Sequence, residues 1–409
     1  MNTYLYKGQA IDSVVLKCLV VSRGVTVDSD VYRKYRKTHR LSVNPLMCNC
    51  FFLSDNTIVQ LSDVSFHLQH LSGMLSWETL KLLKYASALA SPFRIKLHAE
   101  KAALFCDETL VDYITFPNKT DFYMQKTALG LPFLGNAVLQ GTDWVAFQCL
   151  WPCEYAAAGK GCEFCFSGAD FEHLSKKKQP LPKPVPPEDM AEMVAYAIQH
   201  CGCNSVQITG GSTFDERKES NYIKAYLTAL RRRIGKLPGE LLLYITPPSD
   251  FTILDEYFAL GATRIACSIE LWDEALAKRI TPGKIDITTR KRHLDALTYI
   301  AKTYGKGKAF SNFIIGIEPF DSFAQGAAYL AQRGIIPSAS VWMPMGRPVN
   351  NSMQAPDAAY YRKVTELLSS LYTEHALAPA GGCGLNVCIE RDIHHLRTAD
   401  FASVCNGTT

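Results

Sequence analysis

The chain has 409 residues, 47% apolar and 20% charged, enough for one large domain with an appendage or for two domains. That balance excludes intrinsic disorder, because so much apolar surface can offset the entropy of ordering. A net charge of +4 offers no basic field for nucleic acid, and the runs Lys176-Lys177-Lys178 and Arg231-Arg232-Arg233 suit solvated faces. The chain lacks any apolar run long enough to span a bilayer. Its start, Met1-Asn2-Thr3-Tyr4-Leu5-Tyr6-Lys7, lacks the shape of a secretory signal, so a cytoplasmic location is expected. There, the 14 cysteines are expected to be reduced thiols, most of them packing as small hydrophobes. Four of them crowd into 17 positions and need another explanation.

In chain order, residues 1–140 read as a small α+β domain with no phosphate loop and no repeat. β-rich runs at 14–21 and 50–53 precede a helical stretch at 77–90. From 141 onward, strands alternate with helices. Short apolar, β-rich runs at 143–149, 205–209, 241–246, 264–269, 310–315 and 338–343 predict buried strands. Helical patterns fall between them at 187–200, 220–234, 252–260, 288–304 and 322–332. The first of these opens on prolines and Glu188-Asp189, as a helix start should. This alternation predicts a parallel sheet with right-handed crossovers. Six units are too few for an eight-fold barrel, so the expected α/β fold is a partial (β/α)6 TIM-type barrel over 141–350. Residues 351–409 add a helix near 357–375 and a tail carrying Cys383, Cys388 and Cys405.

The sharpest motif is Cys149-Leu-Trp-Pro-Cys153, followed by eight residues and then Cys162-Glu-Phe-Cys165. It follows the first barrel strand, on the face where barrel folds assemble active sites. Thiolates grouped this closely suit either zinc, with Cys149, Cys153, Cys162 and Cys165 as four ligands, or an iron–sulfur cluster. Spacing alone leaves both open.

The loop resembles the cluster motif of the radical S-adenosylmethionine (radical SAM) superfamily, in which three cysteines hold a 4Fe-4S cluster and the open iron chelates S-adenosylmethionine. Cys162 and Cys165, with Phe164 between them, match the closing spacing. The first gap is longer than the usual three residues, which leaves Cys153 as the favoured first ligand and Cys149 as its alternative. Later segments, each at a predicted strand end, are similar to further motifs of that family. Thr209-Gly210-Gly211-Ser212 is similar to the glycine-rich motif for the methionine amino group. Ser268 and Glu270 resemble the site for the ribose or amino group, and the resemblance implies Arg279 as a partner for the SAM carboxylate, with a helix-surface arginine as the alternative reading. Asn312 and Gly316 lie in a segment similar to the apolar motif beside the adenine, and Val341 and Met343 in one similar to the backbone adenine contact.

What the resemblance implies is reductive cleavage of S-adenosylmethionine at a 4Fe-4S cluster. The resulting 5′-deoxyadenosyl radical would take hydrogen from a small-molecule substrate of cofactor or natural-product biosynthesis. A reducing partner such as flavodoxin or ferredoxin would supply the electron. Substrate-facing candidates at the barrel mouth are Tyr244, Glu318, Trp342 and Arg347, with Glu318 and Tyr244 as catalytic choices and a loop cap as the alternative role of Glu318. His394 and His395 beside Asp392 read as a surface pair. The tail has too few cysteines for a seven-cysteine auxiliary extension, and no Asp-x-His-x-x-Gly signature points to cobalamin. An auxiliary metal at Cys383 and Cys388 with Cys48 and Cys50 competes with plain packing thiols. Two other readings remain: peptide or RNA modification on the same barrel, and a zinc-organised interaction protein without activity.

Overall fold

The structure is a computed structural model describing residues 2–42, 47–61, 66–68, 91–150, 152–165, 174–178, 183–342, 355–379 and 388–395. An antiparallel hairpin, β1 (Thr3–Tyr6) and β2 (Gln9–Asp12), leads into helix α1 (Ser13–Arg23). This helix corrects the β-rich reading of 14–21. The Asp12 side chain accepts the Val15 amide, and Gly24, at φ 77°, donates its N–H to Val20 O. Those two caps, with burial of every residue from Ser13 to Ser22, outweigh the weak helix propensity of four valines.

The remaining N-terminal elements are β3 (Val25–Val27), α2 (Ser29–Tyr35), β4 (Asn49–Phe52), β5 (Ile58–Leu61), β6 (Phe66–Leu68), β7 (Phe93–His98), β8 (Lys101–Cys106) and β9 (Thr109–Tyr113). Five of the strands form a mixed sheet in the order β6-β3-β7-β8-β9, while β4 and β5 pair as a separate hairpin. The helix expected at 77–90 lies outside the described residues.

A seven-stranded sheet follows. The short strand β10 (Val138–Gln140) pairs antiparallel with β11 (Trp144–Leu150). Five crossovers then add parallel strands. They contribute α3 (Glu154–Ala157), α4 (Pro187–His200), β12 (Ser205–Gly210), α5 (Glu216–Ile234), β13 (Leu241–Tyr244), α6 (Thr252–Ala259), β14 (Arg264–Ala266), α7 (Glu274–Ile280), α8 (Arg290–Tyr304), β15 (Ala309–Ile315), α9 (Phe320–Ala331) and β16 (Ile336–Val341). The sheet order is sequential, β10 to β16, so the fold is an α/β partial barrel of six parallel strands with one antiparallel strand at its edge.

Two boundaries shift for local reasons. α5 begins a turn earlier than expected because the Asp215 carboxylate caps the amides of Arg217 and Lys218. β14 is only three residues long, and the chain beyond it rejoins the sheet through a single bridge, Glu270 to Phe313. The free edge of β16 is covered by the tail: Ser340 bridges Cys388, and Ile389 N donates to Ala339 O at 3.1 Å. α1 packs on β16 and on α10 (Ala358–Glu374), and the last described element is α11 (Glu390–His395). One continuous apolar core runs from α1 and β3 through β11 to β16. Among the described residues, no helix is long and apolar enough to cross a membrane.

Candidate active site

Strand register decides which side chains share the inner face. Directly paired residues point to the same side of a sheet, and alternate residues along a strand do likewise. Gln148 pairs with Thr209, Tyr244 with Ala266, Ala266 with Phe310, and Asn312 with Ser338. One face therefore carries Gln148, Gln207, Thr209, Tyr244, Asn312, Ser338 and Ser340. It is polar toward the C-terminal ends of the strands, which is where ligands bind in such folds.

The cysteine loop is fastened over that end. Cys153 is the N-cap residue of α3, and its Sγ accepts the Ser212 amide at 3.4 Å. Glu154 N donates to Ser212 O at 2.8 Å, while the Glu154 carboxylate accepts the Phe214 amide and the Lys218 ammonium. Contact here is close enough to require glycine. A Cβ on Gly211 would stand 2.4 Å from Cys153 Cα, and one on Gly210 would stand 2.8 Å from Leu150 Cβ. The other end of the loop is tied to the segment after α7. Glu163 N donates to Ile280 O at 2.9 Å, Gly283 N donates to Lys160 O at 3.0 Å, and the Tyr155 hydroxyl bonds Thr288 Oγ1 at 2.7 Å.

The Cys162 thiol lies within electrostatic reach of Cys153 and Cys165. Burial pushes the Cys162 thiol well above its ordinary range; the Lys284 ammonium opposes that push, while Cys165, Glu270 and Cys153 add to it. Cys165 N donates to Cys162 O at 3.1 Å. Cys149 is not part of this group. Its thiol is raised first by burial and then by Glu219, and it acts in turn on Tyr226 and Tyr257, all residues of α5 and α6 behind the sheet. Cys149 lies within β11, and its thiol is buried. Among the described residues, no three His, Cys, Asp or Glu side chains are grouped so as to hold a single ion.

Below the loop runs a chain of buried polar groups. Lys284 Nζ donates to Ser268 O and to Glu270 Oε1, both at 2.7 Å. The other carboxylate oxygen, Oε2, accepts Asn312 Nδ2 at 3.3 Å. Asn312 Oδ1 accepts the Ser340 hydroxyl at 2.8 Å, and Ser340 Oγ lies 3.1 Å from Cys388 Sγ. The Glu270 backbone is left-handed at φ 71°, held by its N–H to Asn312 O at 2.9 Å and by the Ile314 amide donating to its carbonyl at 3.0 Å. Tyr244 stands in the same buried region, its hydroxyl pushed up by burial and by Cys388, Glu390 and Glu270.

Other candidates are placed differently. Arg279 is exposed on α7, because Ala277 and Ile280 form that helix's buried side; the cation beside the thiols is Lys284. Glu318 is a loop-holding carboxylate. It accepts the Trp272 amide at 2.9 Å, the Asp273 amide at 2.9 Å and the Ser322 hydroxyl at 2.8 Å, and burial still raises it above the ordinary range. Phe164 packs on the apolar cluster that includes Leu271, Ile280 and Trp342. Gly316, at φ 105°, donates its N–H to the Tyr360 hydroxyl at 3.1 Å. Val341 is buried at the end of β16. Met343, Arg347 and Cys383 lie outside the described residues. Cys50 sits against Arg40, whereas Cys388 bonds Ser340, so these two are held in different surroundings. Asp392 is buried, its carboxylate paired at 2.7 Å with Lys17 of α1.

The sequence reading missed Lys284 and Lys17. Both are single lysines among 43 basic residues, and only the fold reveals their burial.

Comparison with known proteins follows the same lines. Residues 158–324 match the family described as the Radical SAM superfamily, a span that includes Cys162 and Cys165 but begins after Cys153. A bacteriochlorophyllide c C-7(1)-hydroxylase from Chlorobaculum limnaeum is 24% identical over 264 residues, 61% of this chain and 65% of that protein. The present chain thus spans less than two thirds of that relative. Among solved structures, the coproporphyrinogen III oxidase of Escherichia coli, a radical SAM enzyme, aligns with a TM-score of 0.36 at 16% identity, covering 58% of this chain and 53% of that one. Methylornithine synthase aligns with a TM-score of 0.40 at 15% identity, covering 56% and 62%. With the family match lying across the closing cysteines and the strand ends from β12 to β15, residues 158–324 carry a Radical SAM superfamily domain.

Proposed function

We propose that Cys153, Cys162 and Cys165 hold a 4Fe-4S cluster, and that S-adenosylmethionine binds beside it over the polar inner face of the barrel. The observation that supports this most directly is the fastening of the cysteine loop over the strand ends, with Cys153 against the Ser212 amide and the Lys160–Glu163 stretch hydrogen-bonded to Ile280 and Gly283. When bound, these groups supply one-electron cleavage of the sulfonium and a carbon radical that takes hydrogen from substrate.

The chain's own residues do the rest. Thr209 through Ser212 seat the loop and present backbone at its edge. Glu270 and Asn312 offer fixed polar atoms for an amino or hydroxyl group, and Tyr244 keeps its proton and serves as a donor facing the substrate space. A small molecule is the favoured substrate class, because the relative from Chlorobaculum limnaeum is by its name a hydroxylase of a bacteriochlorophyllide. A flavodoxin- or ferredoxin-type protein would deliver the electron.

The test is anaerobic reconstitution of single alanine variants. Cys153→Ala, Cys162→Ala and Cys165→Ala are expected to lose iron, visible absorbance and deoxyadenosine production together, whereas Cys149→Ala keeps all three. Full iron binding and SAM cleavage by the Cys162 or Cys165 variant would overturn the reading.

A further inference from the structure

Lys284 has no role in the reading above, yet its placement is the most constrained of any cation near the loop. Its side chain is 18% exposed and that of its partner Glu270 is 11% exposed. It follows Gly283, where a Cβ would stand 2.5 Å from Tyr155 Cδ2, so the segment lies directly against the cysteine-loop helix. Lys284 Nζ is held by Ser268 O and Glu270 Oε1, both at 2.7 Å, and the residue before it, Gly283, donates its N–H to Lys160 O, two residues from Cys162, at 3.0 Å. Glu270 in turn is fixed by its left-handed backbone and by Asn312.

We propose that Lys284 is a positioning cation for the cysteine loop: its ammonium, braced by Glu270 and Ser268, offsets the negative charge of a thiolate-bound iron–sulfur centre and makes that centre easier to reduce. This rests on the cluster assignment above. Three thiolates bring three negative charges, and reduction by one electron from the partner protein adds another. A fixed positive charge in a poorly solvated site favours the more negative state, and buried surroundings screen it little. Glu270 acts with the opposite sign, so the two side chains form a matched pair whose members should shift the potential in opposite directions.

The experiment is an EPR-monitored redox titration of the reconstituted full-length chain without S-adenosylmethionine, alongside iron content and apoprotein melting temperature. Lys284→Met is expected to move the midpoint to more negative potential by at least tenfold in the reduction equilibrium, about 59 mV for one electron. Glu270→Gln should move it positive, and Lys284→Arg should stay near wild type. Should Lys284→Met fail to fold, the positive shift in Glu270→Gln still decides the matter. An unmoved midpoint in either neutralising variant, or shifts of the same sign in both, would overturn the proposal. A wild-type chain that takes up no iron would overturn the cluster assignment and this proposal with it, whereas iron-loaded variants with unmoved potentials would overturn this proposal alone.

Discussion

Glu219 shows what a single buried carboxyl does in this fold. It lies early in α5 at 4% exposure, and burial pushes its carboxyl from an ordinary 4.5 up to about 7, against the lowering effect of Thr246, Thr213 and Arg292. Because the folded value is the higher one, the native chain binds the proton between those two values while the unfolded chain releases it. Stability therefore falls as pH rises through that window, and the cost is complete above about 7. Glu219→Gln removes the charge, so it should gain on the order of 3 kcal/mol over wild type at pH 8. Thermal melts at pH 8 and pH 4 check this: the advantage should vanish at the lower pH, and a pH-independent difference would show that the charge is not responsible. Arg279 teaches a different lesson at the same scale. Its spacing from Glu270 suits a SAM-facing cation, but helical rotation turns it outward, and sequence spacing does not encode which side of a short helix is buried.

At the scale of elements, the loop between β14 and α7 depends on Glu318, which reaches across from the end of β15. Its carboxylate satisfies the amides of Trp272 and Asp273, and the Asp273 side chain then caps α7 through the Leu276 amide. Glu318→Ala leaves those buried amides without partners, at an expected cost of about 1–3 kcal/mol. Urea unfolding would measure the loss; the pH profile of SAM cleavage should keep its shape if the carboxylate only holds the loop, and a lost limb would show a catalytic role.

Elements were legible in the sequence where local pattern and tertiary environment agree. The alternation after 141 marks the barrel because each strand is a short, largely buried β-rich run, and six of the expected helices appear with ends within a few residues. α1 was misread because a run rich in valine carries strand propensity, while its helical state is decided by caps and by packing on β16 and α10. The Gly210-Gly211 pair was legible as part of a glycine-rich motif, and in the fold Gly211 lies directly against Cys153 of the same chain. The Lys284–Glu270 pair was not legible, since nothing in the primary structure shows that residues 14 apart meet inside the barrel.

For the whole molecule, a buried ion pair joins the N-terminal part to the tail among the described residues. Lys17 of α1 donates to Asp392 at 2.7 Å and to Cys388 O at 3.1 Å. Lys17→Met would strand Asp392 in a site 8% exposed, costing about 3–5 kcal/mol. Hydrogen exchange should accelerate across residues 388–395 while β12 and β13 keep their protection; unchanged exchange in the tail would show that apolar packing alone secures it.

That joint matters beyond its own stability. A sheet that stops short of closing has a last strand with hydrogen-bonding groups facing outward, and here two residues of the tail, Cys388 and Ile389, cover them. Were that cover lost, β16 would become a template for the corresponding strand of another molecule. Clumping of chains, rather than simple melting, would then be the characteristic failure of variants weakened at this seam.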